Sequence, residues 1–290
     1  MSIPTARSSS PARRLLVVHR TGFRYDAPVA ASYNEARMTP LTTPQQTALD
    51  ARVTITPVTW RHAYWDYWGT QVTAFDVLVP HDELTVVSSA TVEVFSPPDL
   101  DATAGWNILE RDAVLDAYHE YLIQTPLTEP HPEVVALARE AVGRRPPDAA
   151  ARSACEALLD AVDYVPGVTS VRTPASEVWA ARQGVCQDFA HLALGALRSL
   201  GIPARYVSGY LHPRPDAPLG ETVEGESHAW VEWWAGDWVA FDPTHADVVS
   251  HSHVLVARGR DYSDVTPLKG VYAGTAGSEL FVTVEVTRLQ

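Results

Sequence analysis

Cysteine is scarce in this chain. Its 290 residues hold two, Cys155 and Cys186, too few for a disulfide framework and in keeping with a reducing cytosol. Long apolar runs are also missing. No stretch approaches the ~18 residues of a membrane-spanning helix. The first apolar run, Leu15-Leu16-Val17-Val18, is cut off by His19-Arg20 and is too short for a signal-peptide core. Positive charge is in deficit, with 22 Lys and Arg against 35 Asp and Glu and a formal net charge of −13. Such a surface repels nucleic-acid phosphates and anionic lipid, which excludes both as expected partners. It favours neutral or basic substrates. There is no Gly-rich phosphate loop and no internal repeat. No cofactor or metal is expected, and the expected location is the cytoplasm.

What is present describes an ordinary globular protein. The chain is 46% hydrophobic and 20% charged, with 9 Trp and 11 Tyr for a core. Its length suits one large domain or two modest ones. Residues 1–14, rich in Ser, Pro, Ala and Arg, read as a disordered leader. From Leu15 to about residue 96 the pattern is β. Leu15–Val18, Arg52–Thr56, Gln71–Val79, Leu84–Val87 and Ala90–Phe95 are strand candidates, and Tyr67-Trp68-Gly69-Thr70 is a turn. The aromatic run from Trp60 to Trp68 reads as core or hairpin packing.

From about Asn107 the period becomes helical. Asp112–Leu122, Pro132–Val142, Ala149–Val162 and Ser176–Ala181 are predicted helices. The clearest runs from Gly184 to Gly201, with Phe189, Leu192, Ala193, Ala196, Leu197 and Leu200 as its apolar stripe. Strands are expected at Ala204–Tyr210, Ser227–Trp234, Trp238–Asp242 and Leu280–Val286. The segment from Pro213 to Glu226 reads as an exposed loop.

Three residues on these elements carry chemistry. Cys186 opens the clearest helix, where unpaired N–H groups and a partial positive charge favour a thiolate and can hold an oxyanion. Gly184 would let a backbone pass close to a substrate. Cys155, mid-helix among Ala and Leu, reads as a buried apolar residue. His228 lies on the strand face that also carries Trp230, Glu232 and Trp234. Asp242 ends the next strand, beyond an Ala235-Gly236-Asp237 turn. A three-residue loop puts His228 opposite Thr244, and a loop shifted by one puts it opposite Asp242. Either way the two side chains share a face within one diagonal step. Cysteine, then histidine, then aspartate is what a thiol nucleophile, its base and the base's orienter require. His245, Asp247, His251 and His253 lack a compact metal-ligand spacing and read as a solvated polar loop.

Taken together, Gly184-Val185-Cys186-Gln187-Asp188-Phe189-Ala190, Ile202–Tyr210, His228-Ala229-Trp230-Val231-Glu232 and Phe241-Asp242-Pro243-Thr244 resemble the bacterial transglutaminase-like superfamily. Tyr25–Val29, Asn34–Pro40 and Val79-Pro80-His81 extend the resemblance to that family's β-rich N-terminal region, and Arg258–Val265 with Gly270-Val271-Tyr272 to its C-terminal end. Thr70 stands where such proteins often show Asn, which touches a turn and not the chemistry. The resemblance implies an α+β fold, a papain-like transglutaminase core with an N-terminal β-rich region. The implied division is a leader at 1–14, a β-rich region at 15–100, a catalytic core at 101–250 and a closing β segment at 251–290. It makes Cys186 the nucleophile, His228 the general base and acid, and Asp242 the orienter. Backbone N–H groups alone, or the Gln183 amide with them, would hold the oxyanion. The expected reaction is attack on an amide or peptide bond of a peptide or protein substrate through an acyl-thioester. Water as acceptor gives a peptidase or amidase, the favoured outcome, and an amine gives a protein-glutamine transglutaminase. A non-catalytic peptide-binding module that kept the fold is the other alternative.

Overall fold

The computed structural model describes residues 12–95 and 103–290. The expected leader lies outside the described residues up to residue 11, and Arg13 already begins a strand. The N-terminal elements are β1 (Arg13–Val29), β2 (Ala31–Ala36), β3 (Gln46–Thr56), β4 (Trp60–Trp65), β5 (Gln71–Val77) and β6 (His81–Val94). A helical stretch follows, with α1 (Trp106–Leu109), α2 (Asp112–Ala117), a 3₁₀ turn at His119–Tyr121, α3 (Pro132–Val142) and α4 (Pro147–Leu159). Next come β7 (Asp163–Tyr164), α5 (Ala175–Ala181), β8 (Gln183–Gly184), α6 (Cys186–Ser199), β9 (Ala204–Leu211), β10 (Thr222–Trp234), β11 (Trp238–Asp242) and β12 (Asp247–Val248). The chain ends with β13 (His253–Gly259), α7 (Tyr262–Val265), β14 (Leu268–Ala273) and β15 (Ser278–Arg288). Among the described residues no helix is long and apolar enough to cross a membrane.

Period-two alternation builds the first sheet. In β1, Leu15, Val17, His19 and Thr21 turn inward, and their register partners Val92, Ala90, Ser88 and Val86 of β6 do the same. The expected break inside β6 does not occur. Its Ser88 keeps the alternation because the buried hydroxyl donates to the Met38 carbonyl at 2.7 Å, so no polar group is left unpaired.

The large sheet runs β12-β11-β10-β15-β1-β6-β3, with β9 added on β10 and β13 on β9. Strand β10 joins its two halves. Thr222–Gly225 pair with β15, and Glu226–Trp233 pair with β9. The sequence reading placed Thr222–Glu226 in a loop because Gly and Glu dominate there. Pairing to β15 and the burial of Val223 and Gly225 make it strand instead. A second sheet, β14-β2-β5-β4, packs a smaller core of Tyr25, Val29, Met38, Phe75 and Leu84. Its edge strand β4 belongs to a hairpin, as expected of the aromatic run, but Trp60 and Trp65 are exposed rather than core.

Helix α6 is apolar on most of its circumference and is buried from Asp188 through Arg198. Phe189, Leu192 and Leu197 share the main core with Ala229, Val231 and Trp233 of β10. Its one buried cation, Arg198, donates to the carbonyls of Ala204, Ile123 and Arg260 and to the Thr128 hydroxyl. These bonds fix the C-terminal end of the helix, and so the depth at which its N-terminus meets the sheet.

Candidate active site

Cys186 is the first residue of α6. The preceding Val185 is extended and has no side-chain acceptor, so the cap leaves first-turn N–H groups open beside the sulfur. Asp188 closes the turn from below: its Oδ2 accepts from the Val185 N–H at 2.8 Å and from the Thr169 hydroxyl at 2.6 Å. Burial pushes the Asp188 carboxyl up, against the opposing pull of those donors. Gly184 makes room for this cap. A Cβ there would lie 2.8 Å from the Asp188 Cβ, inside the space the capping carboxylate needs.

His228 and Asp242 meet as the hairpin register dictates. Trp234 pairs with Trp238 and Val231 with Phe241, so the three-residue loop is the one formed. Continued, that register puts Asp242 one diagonal step from His228 on the same face. His228 Nε2 lies 2.7 Å from Asp242 Oδ2, and both side chains are buried. Cys186 acts on the same imidazole, being one of the groups that raise its pKa. With Nε2 engaged by the carboxylate, Nδ1 is the nitrogen left to face the sulfur. Burial alone would keep His228 neutral. The bonds to Asp242 and Cys186, and the negative charge those groups carry, override it and raise the pKa to about 10. Burial works equally against an ionised Asp242, yet three imidazoles hold its carboxyl well below the usual carboxylate range.

Two of those imidazoles, His245 and His253, were read from sequence as a solvated loop. The structure corrects this for His253, whereas His245 is an exposed turn residue that also reaches the site. His245 Nδ1 lies 2.8 Å and His253 Nε2 3.3 Å from Asp242 Oδ2, while Oδ1 accepts from the Thr244 N–H at 2.9 Å. His253 is buried as the first residue of β13. The available signal was the apolar run Val254-Leu255-Val256-Ala257, a strand whose first residue had to fall at the site. Among the described residues, His228, Asp242 and His245 place ligand atoms within 4.8 Å of one another, the arrangement best suited to a metal ion. The nitrogens converge on a carboxylate oxygen and not on a gap, so hydrogen bonding accounts for the geometry.

Tyr164 is a second residue that sequence did not single out. It pairs with Gly184, and its ring stacks on Phe189 at 6.4 Å beside the start of α6. Burial first, and negative charge at Cys186 next, push its hydroxyl up to about 12, so it keeps its proton at neutral pH. Gln183 lies in β8 with an exposed side chain that makes no hydrogen bond to Cys186, His228 or Asp242 among the described residues. Cys155 is fully buried, and that burial pushes its thiol up to about 12, as expected of a packing residue.

Comparison with known proteins places this geometry among relatives. The family model described as the transglutaminase-like superfamily matches residues 135–243, and that of the bacterial transglutaminase-like N-terminal region matches residues 15–93. An uncharacterized protein of Mycobacterium leprae is 46% identical over 276 residues, covering 95% of this chain and 99% of its own length. The protein-glutamine gamma-glutamyltransferase of Pseudomonas aeruginosa is 32% identical over 102 residues, 31% of this chain and 15% of that protein. The crystal structure of a candidate cysteine protease from Cytophaga hutchinsonii superposes with a TM-score of 0.75 at 22% identity, over 97% of this chain and 92% of that one.

Proposed function

The chain belongs to the transglutaminase-like superfamily, and from that premise we propose that it is a cysteine-dependent hydrolase of amide or peptide bonds. One observation carries the proposal: the imidazole of His228, on which Cys186 acts, is anchored by Nε2 at 2.7 Å from the buried Asp242 carboxylate. In this reading His228 already holds the Cys186 proton in the resting site, and the Cys186 sulfur attacks the carbonyl carbon as a thiolate. Open N–H groups at the start of α6 face the oxyanion as charge develops. His228 then protonates the departing amine as the C–N bond breaks, leaving an acyl-thioester. It next takes a proton from water, whose oxygen attacks the thioester; the C–S bond breaks, the acid leaves, and the Cys186 thiolate is restored beside the protonated imidazole. Asp242 holds the imidazole by Nε2 throughout and stays ionised.

An amine in place of water would make the same site a transferase, the activity after which the Pseudomonas aeruginosa relative is named. One experiment tests both. The protein is incubated with peptide mixtures, with and without an added primary amine, and intact-mass spectrometry follows adducts on Cys186. An acyl adduct that decays in water to free acid supports hydrolysis. A product carrying the amine supports transfer. Cys186→Ala is expected to abolish both adduct and turnover. Activity retained by that variant would remove the proposal, and a wild-type protein with neither adduct nor turnover would favour the non-catalytic binding module instead.

A further inference from the structure

His253 lies outside the three-residue line, yet it is the best-determined imidazole of the site. The Ser250 N–H donates to its Nδ1 at 3.2 Å, so that nitrogen carries a lone pair. The ring proton therefore sits on Nε2, the nitrogen aimed at Asp242 Oδ2 at 3.3 Å. The ring is packed edge-on against Trp230 at 5.3 Å, and the His253 backbone N–H donates to the Ser250 carbonyl at 3.0 Å, fixing the main chain that carries it. It cannot turn without breaking these contacts. Beyond it opens a cavity of about 730 Å³, lined by His253, Trp230, Ser250 and Leu255 but not by Asp242. His253 thus stands between the carboxylate and that cavity.

We propose that His253 is a positioning residue: a neutral imidazole, locked as the Nε2–H tautomer by Ser250, that fixes and shields the Asp242 carboxylate so that it holds His228 against Cys186. The proposal rests on the triad reading above. His228 and Thr244 hold Asp242 from the hairpin side, and exposed His245 reaches it from three residues further along the same turn. Among the described residues, only His253 binds it from a buried strand outside that hairpin. Removing that donor lets the carboxylate rotate toward the cavity and weakens its bond to His228.

The test uses the full-length protein and needs no known substrate. Iodoacetamide labelling of Cys186 near neutral pH is followed by peptide mass spectrometry, with buried Cys155 as internal reference. His253→Leu fills the site without a donor and is expected to slow Cys186 labelling about tenfold, the size of one hydrogen bond to a charged group. His253→Gln returns an N–H near the Nε2 position and is expected to recover most of the wild-type rate. Equal rates in His253→Leu and wild type, or no recovery in His253→Gln, would overturn the positioning role. If wild-type Cys186 labels as slowly as Cys155, the triad reading itself fails and takes this one with it. Should either variant not fold, ¹⁵N NMR of the wild-type imidazoles decides: a protonated Nδ1 on His253 at neutral pH would overturn the lock.

Discussion

Burial and hydrogen bonding pull His228 in opposite directions, and the outcome sets the chemistry. The bonds to Asp242 and Cys186 win and carry the imidazole to a pKa of about 10, so it rests protonated beside the sulfur at neutral pH. Two substitutions test this balance. His228→Ala removes the partner, and alkylation of Cys186 near pH 7 is expected to slow by at least about tenfold while Cys155 is unchanged. An unaltered rate would mean that the ring and the sulfur do not interact. Asp242→Asn keeps the shape and removes the charge. Turnover is expected to fall by roughly 10³–10⁴, the order seen when this swap disturbs a serine-protease triad. A loss under about tenfold would show that the carboxylate charge is dispensable. At this scale the sequence was legible where each residue had its own element: a helix start, a strand face, a strand end. His245 and His253 were not legible, because histidines scattered through a polar stretch carry no periodic signal. Their role exists only once β11 and β13 bring them to one oxygen. Tyr164 was hidden likewise, since a two-residue parallel pairing leaves no pattern in sequence.

Helix α6 shows how far element-level reasoning carries. Its boundaries were readable because an apolar stripe, a glycine stop and a following proline agree with one another. That it is buried on all sides was not, since this depends on α3, α4 and α5 covering the face away from the sheet. The long strands were underestimated for a related reason. Serine in β6 and glycine with glutamate in β10 look like turn signals until a partner strand satisfies their backbone. Gly195 tests the packing of α6. In an open helix, Gly→Ala stabilises by up to about 1 kcal/mol. Here the added Cβ would lie 2.4 Å from the Thr128 carbonyl oxygen and 3.2 Å from the Pro130 Cβ. The Thr128 hydroxyl is also a partner of buried Arg198. Overpacking outweighs propensity, so Gly195→Ala is expected to destabilise the protein by about 1–3 kcal/mol in chemical denaturation. Stabilisation by this substitution would mean that the Thr128 segment yields freely.

Across the whole molecule, buried histidines of opposite character give stability a shaped dependence on pH. Burial lowers His19 and His191 to about 4. In the unfolded chain each takes up a proton as pH falls through about 6.5. Between about 6.5 and 4 the unfolded state therefore binds more protons, and stability falls as pH falls. Their contribution is complete above 6.5. His228 works the other way. Its folded pKa of about 10 makes its contribution complete below 6.5 and lost as pH rises from 6.5 to 10. Glu232 adds a later acid step. Arg258 and Arg205 overcome its burial and hold it at about 2, so its contribution is present above about 4.5 and lost as pH falls toward 2. The expected curve has its maximum near pH 6–7. His212 and His251, lowered by burial, add to the acid limb, and His245, raised by its bond to Asp242, adds to the alkaline limb; each limb is bounded by about 1.4 kcal/mol per pH unit per proton. Urea unfolding between pH 4 and 10 measures the curve. His19→Asn, which keeps an acceptor for the Tyr210 hydroxyl now 3.0 Å from the imidazole Nδ1, should flatten the acid limb by about one proton and leave the alkaline limb alone. A maximum well away from neutrality, or an acid limb indifferent to His19→Asn, would mean that these imidazoles meet water in the folded protein.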